Sequence, residues 1–177
     1  YASTNSVYGQ YTFVEGGIQE SHPINPVNPY GASKASGELL VESYRKAFGM
    51  ETVCLRFAGV YGPGKLGNVF DIFVRKALSG EELTVTGEKQ ARNFTYIDDA
   101  INGLKLSIFG NATGVFNLSG GKSVTILTIA EIISNIIPTK ILIIKERRGD
   151  AKVQGLLSIS KARKELGYSP QIDIEKG

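Results

Sequence analysis

Helical and strand-like hydrophobic patterns alternate along this 177-residue chain, the order that builds α/β folds. The first predicted helix runs from 29 to about 48, with Leu39, Leu40, Ser43 and Ala47 on a mixed apolar stripe and Gly49 ending it. Residues 51–58 are nearly continuous in apolar side chains, which predicts a strand buried on both faces of a parallel sheet. A second helix is expected from 68 to about 79, closed by Gly80, followed by short strands at 83–86 and 93–97. Asp98 and Asp99 suit the positive end of a helix over 98–109. A strand at 115–118, a helix at 125–137 and a strand at 140–145 follow. The last helix, 160–166, is capped at Ser160 and stopped at Gly167.

Composition narrows the class without naming a chemistry. The chain is long enough for one sizeable core, and its apolar fraction of 42% is ordinary. The formal charge of +3 is spread along the chain, so the dense basic stripe of a nucleic-acid binder is absent. Lys145, Arg147 and Arg148 form the one compact basic cluster. Cys54 is the single cysteine and has no internal partner, which suits a reducing compartment. No apolar run reaches membrane-spanning length and no signal peptide is visible, so the cytoplasm is the expected location and a membrane partner is not. Gly120-Gly121-Lys122-Ser123 imitates the end of a phosphate-binding P-loop, but the Gly required five residues before Gly121 is Phe116.

The candidate chemistry lies in two residues four apart, Tyr30 and Lys34, in the run Pro29-Tyr30-Gly31-Ala32-Ser33-Lys34. A phenol is a poor base at neutral pH, its unperturbed pKa being about 10. An ammonium one helical turn away shares its face and favours the phenolate. Such pairs occur by chance on many surface helices, so the context decides. Pro29 is accepted in the first helical turn and starts the helix there. The small run Gly31-Ala32-Ser33 keeps bulk off the face where a flat cofactor could lie. Thr4, 26 positions before Tyr30, sits where a strand end feeds a polar loop, and its hydroxyl can hold the oxygen whose proton the phenol takes or returns. Together these groups form a device for oxidising an alcohol or reducing a ketone beside a bound nicotinamide.

Seven pieces in order extend this device over nearly the whole chain. They are Ser3-Thr4-x-x-Val7-Tyr8-Gly9, Glu20-x-x-Pro23-x-x-Pro26-x-x-Pro29-Tyr30-Gly31-x-Ser33-Lys34, and Leu55-Arg56-Phe57-x-x-Val60-Tyr61-Gly62-Pro63-Gly64. Arg92-Asn93-Phe94-x-Tyr96-Ile97-Asp98-Asp99-Ala100, Phe116-Asn117-Leu118-x-Gly120, Arg147-x-Gly149-Asp150 and Ser160-Lys161-Ala162-x-x-x-Leu166-Gly167-Tyr168 follow. The chain resembles the later part of the extended short-chain dehydrogenases/reductases, the group of NAD-dependent nucleotide-sugar epimerases and dehydratases. That resemblance implies an α/β architecture: part of a doubly wound, Rossmann-type parallel sheet with a smaller C-terminal substrate lobe. Residues 1–60 would be the remainder of the dinucleotide-binding domain and 61–177 mostly the substrate lobe, with 98–118 returning to the sheet. It implies Thr4, Tyr30 and Lys34 as catalytic residues, and Ser3, Tyr30, Lys34, Phe57 and Gly59 as contacts for NAD. Nucleotide-sugar contacts would be Thr4, Asn68, Arg92, Arg147 and Asp150, with a homodimer formed through the Tyr30–Lys34 helix and no metal.

The departures from the family pattern are informative too. No G-x-G-x-x-G turn is present, and the sequence opens at what should be the end of a central strand, so an N-terminal half carrying that turn is expected elsewhere. Dehydratases and decarboxylases of the resembled group carry acids directly after the active-site Thr, whereas this chain has Asn5 and Ser6, which favours 4-epimerisation of the UDP-glucose/UDP-galactose type. A nucleotide-sugar 4-ketoreductase or 4,6-dehydratase, an inactive fragment and a non-catalytic NAD(P)-binding sensor are the alternatives. Asn93 replaces the usual Asp, Gly59 a frequent Asn, and Arg148 the usual Pro. Arg92 could equally pair with a nearby carboxylate, Asn68 could be a plain N-cap, and Leu83 and Val85 could flank a base or sit in the core.

Overall fold

The structure, a computed structural model, describes residues 1–10, 14–87, 89–145 and 155–177. Among these residues it is an α/β fold with three small sheets, two of them wholly parallel. The first holds β1 (Ala2–Thr4), β2 (Val53–Phe57) and β6 (Gly114–Leu118) in that order, all parallel. Helix α1 (Pro29–Phe48) covers one face. On the other, Leu55, Phe116 and Leu118 form a buried cluster with Ile159, Ala162, Leu166 and Tyr168, contributed by α5 (Ser160–Leu166) and its flanks. Side chains alternate across a strand, which explains how β2 serves both faces.

The second sheet runs β3 (Gly59–Tyr61), β5 (Ala91–Tyr96), β7 (Ser123–Thr125), with β3 parallel and β7 antiparallel to the middle strand. The third pairs β4 (Leu83–Thr86) with β8 (Ile141–Ile144) in parallel. Helices α2 (Val69–Leu78) and α4 (Ile126–Ile136) pack on these strands around Tyr61, Phe73, Leu83, Val85, Phe94, Ile129 and Ile133. Leu83 and Val85 therefore belong to the core rather than to a base-binding wall. Helix α3 (Ile97–Phe109) leads from β5 back to β6.

Several local expectations change. The bounds of α1 agree with the sequence because Asn28 caps it, its Oδ1 accepting from Gly31 N at 2.8 Å, with Pro29 in the first turn and Gly49 left-handed at the end. Its buried positions, however, are Gly31, Ala35 and Glu38, while Leu39 and Leu40 point outward at 69% and 61% exposure. The apolar stripe is thus turned away from the sheet, and small residues plus one carboxylate make the contact. Strands β3 and β7 are three residues each, too short to show a period. Ser160 is the first residue of α5, not its cap; the N-cap is Ile159, which makes no side-chain cap bond. Asp99 does not cap α3 but accepts from the backbone N–H groups of Gln171 and Ile172 at 2.8 and 3.1 Å.

Candidate active site

A cleft of about 530 Å³ opens between the β1–β2–β6 unit and the β3–β5–β7 unit. Ser3, Thr4, Tyr30, Lys34, Phe57, Gly59, Asn68 and Arg92 all line it. The eight candidate site residues among the described residues are therefore brought to one place. Arg147 and Asp150 lie outside the described residues.

Thr4 ends β1 and caps the short 3-10 helix Asn5–Tyr8, its Oγ1 accepting from Ser6 N at 3.2 Å. That bond fixes the hydroxyl at the cleft rim. Asn5 and Ser6 stand beside it in the wall. Tyr30 is 56% exposed and lines the cleft. Lys34 Nζ donates to Ala2 O at 3.0 Å and lies 5.4 Å from the Tyr1 ring centroid, which uses one of its three N–H donors and pins the ammonium to β1. The small residue at 31 has a different reason from the expected one. A Cβ there would lie 2.6 Å from Ser6 O, so Gly31 lets α1 press against the 3-10 helix rather than clearing space for a ligand.

Electrostatically the cleft is one-sided. Lys34, Lys65 and Arg92 line it, and no carboxylate does among the described residues. The Arg92 side chain makes no hydrogen bond or ion pair among the described residues, so the carboxylate-paired alternative has no support there. Asn68 has both expected roles: it lines the cleft, and its Oδ1 caps α2 by accepting from Asp71 N at 2.9 Å. Ser3 lines the cleft too, but its hydroxyl turns inward and donates to Glu38. Asn93 explains itself structurally. Its amide donates to Gly155 O at 2.8 Å and accepts from Leu157 N at 3.0 Å, a pair of bonds that an ionised Asp could not make.

Comparison with known proteins sharpens the picture. The model of the NAD dependent epimerase/dehydratase family matches residues 1–118. The chain belongs to that family. Over its whole length it is 31% identical to the uncharacterised UDP-glucose epimerase YtcB of Bacillus subtilis, covering 57% of that protein. It is 32% identical, again over all of its length, to a dTDP-glucose 4,6-dehydratase of Actinoplanes, covering 56% of it. Among solved structures, a UDP-glucuronic acid 4-epimerase from Bacillus cereus in complex with UDP-glucuronic acid and NAD superposes with a TM-score of 0.87. That pair is 32% identical over 99% of this chain and 57% of the other. The chain thus spans somewhat more than half the length of the relatives it matches.

For a family that uses NAD, the residues present fit the nicotinamide side of the cofactor. Lys34 has donors to spare, and Tyr30, Phe57 and Gly59 line the cleft beside it. A Cβ at 59 would come within 3.2 Å of the Phe94 ring, so the glycine lets β3 pack closely on that ring. Two things were not read from the sequence. Lys65, in the loop after Gly62-Pro63-Gly64, joins the cleft wall, and its place directly after the matched segment was the available signal. The buried partners of Glu38 and Arg56 gave no sequence signal that separates them from surface charges.

Proposed function

We propose that this chain carries the acid–base centre and the sugar-nucleotide face of an NAD-dependent nucleotide-sugar 4-epimerase of the UDP-glucose/UDP-galactose type. The observation that carries this reading is the wall after Thr4. Asn5 and Ser6 line the cleft where elimination chemistry needs a carboxyl group, and no carboxylate is among the described lining residues. Inversion at C4 needs none. Tyr30 takes the proton of the sugar 4-hydroxyl and later returns it, Thr4 holds that oxygen, and Lys34 supports the phenolate from one turn away. NAD, when bound, supplies the acceptor for the C4 hydride and its donor on return to the opposite face. Arg92 and Asn68 bind the diphosphate, the guanidinium through two parallel hydrogen bonds, while the loop of Arg147 and Asp150 grips phosphate and the nucleoside ribose.

The parallel β1–β2–β6 strands are read as one part of a doubly wound dinucleotide-binding sheet, with the second sheet and α2 as the substrate lobe. Self-association through α1 is supported by Leu39, Leu40, Tyr44 and Phe48, exposed at 69%, 61%, 53% and 71%. The single buried thiol suits a cytoplasmic setting, and among the described residues no helix is long and apolar enough to cross a membrane. The test is to incubate the complete protein with NAD and UDP-galactose and follow the sugar by NMR. UDP-glucose should appear; a 4-keto-6-deoxy sugar, or no change with any nucleotide hexose, refutes the reading.

A further inference from the structure

A row of polar side chains crosses the parallel sheet where apolar residues are the rule. Ser3, Arg56 and Asn117 are register partners on β1, β2 and β6, so they point to one face, the face of α1. Their exposures are 5%, 3% and 0%. Glu38 descends from α1 onto this row. Ser3 Oγ donates to it, and Arg56 grips both of its oxygens, Nη2 to Oε2 at 2.6 Å and Nε to Oε1 at 2.9 Å. Arg56 Nη1 donates to the Tyr8 phenol oxygen at 2.7 Å, and that phenol donates to Asn117 Oδ1 at 2.8 Å. Asn117 Nδ2 in turn donates to the carbonyls of Ile18 and Ser158. Burial works against the Arg56 cation, yet the hydrogen bonds to Glu38 and Tyr8 outweigh it and its pKa rises.

This row lies directly under the candidate chemistry. Tyr30, Lys34 and Glu38 follow at four-residue spacing on α1, so they share a face. Ala2, Ser3 and Thr4 are consecutive on β1; Lys34 holds the first and Glu38 the second. We propose that the Glu38–Arg56 pair is the positioning device of the site, setting the height and rotation of α1 over β1 and thereby the separation of the Tyr30 and Thr4 hydroxyls. The inference rests on the function proposed above. Two buried charges lose their hydration, and well-packed apolar side chains of similar volume often hold two elements together as firmly. A two-pronged guanidinium–carboxylate contact supplies direction instead, fixing both distance and plane. Because Gly31 already seats α1 against Ser6, a small displacement is transmitted to Tyr30 next to it.

The test compares the complete parent protein with Glu38→Met/Arg56→Met, which removes both charges at once and keeps side-chain bulk. The double variant should fold, keep its KM for the nucleotide sugar within about threefold, and lose at least about 30-fold in kcat, since a misplacement near 1 Å costs about 10²-fold. With a C4-deuterated sugar the isotope effect on kcat should grow, because slowed hydride transfer then limits turnover; a pair that only stabilises the fold would leave it unchanged. If the double variant does not fold, Arg56→Lys keeps the charge and loses the fork, and should lower kcat about tenfold at similar KM. A crystal structure of either folded variant reads the geometry without any reaction, and α1 should move against β1 at Lys34 and Thr4. An unmoved α1, or kcat within threefold of the parent, overturns the proposal. Absence of turnover by the parent counts against the function alone, and the position of α1 still decides the positioning role.

Discussion

Replacing Tyr8 by Phe removes a single oxygen from the buried polar row and leaves the ring in place. That oxygen belongs to a side chain only 2% exposed, accepts from Arg56 at 2.7 Å and donates to Asn117 at 2.8 Å. Its loss leaves a guanidinium N–H and an amide oxygen short of a buried partner, at a cost of about 1–3 kcal/mol near pH 7. The same phenol also titrates. Burial, opposed by the Arg56 charge, pushes it up to about 12, whereas a tyrosine in an unfolded chain titrates near 10. The folded state therefore holds this proton more tightly than the unfolded state. The stabilisation is complete below pH 10 and is lost as pH rises toward 12, by about 1.4 kcal/mol per pH unit. Tyr61 and Tyr168, whose phenols burial also raises, contribute equally to parent and variant. Urea unfolding followed by circular dichroism at pH 7, 9 and 11 should show the variant about 2 kcal/mol less stable at pH 7 and 9, with more than half of that gap gone at pH 11. A variant as stable as the parent at pH 7, or a gap that stays constant to pH 11, refutes the reasoning.

Gly31→Ala should lower thermal stability by about 1–3 kcal/mol and reduce kcat, because the new methyl carbon would stand 2.6 Å from Ser6 O and force α1 outward; differential scanning calorimetry with steady-state kinetics checks both. Arg92→Ala should raise the nucleotide-sugar KM by about 10–100-fold with little change in unfolding midpoint, since its charged bonds would go to ligand phosphate; an unchanged KM removes Arg92 from the site. Cys54, whose thiol is pushed up by burial first and by the Glu38 charge second, should react with a thiol reagent at pH 8 at least about 100-fold faster in denaturing urea than when folded.

Both ends of helix α1 were legible because Pro29 and Gly49 punctuate it, and both signals are local. Its orientation was not. The obvious apolar residues, Leu39 and Leu40, face outward, and the face that meets the sheet is made of Gly31, Ala35 and Glu38, which no hydrophobic period reveals. Reading β2 as apolar on both sides missed Arg56 for the same reason: a buried charge is stable only with its partner, and Glu38 is 18 residues away. The candidate site residues from Ser3 to Arg92 came from spacing and family likeness, and the fold gathers them in one cleft. Lys65 was missed because a loop lysine looks like any solvated charge until its neighbours are known.

The phenol of Tyr30 is the group on which the functional account turns. In the complete protein with NAD, the rate of UDP-galactose to UDP-glucose conversion should fall by about 10²–10⁴-fold in Tyr30→Phe, with the substrate still binding, because only the acid–base group is lost. Conversion within a few fold of the parent rate would contradict the account.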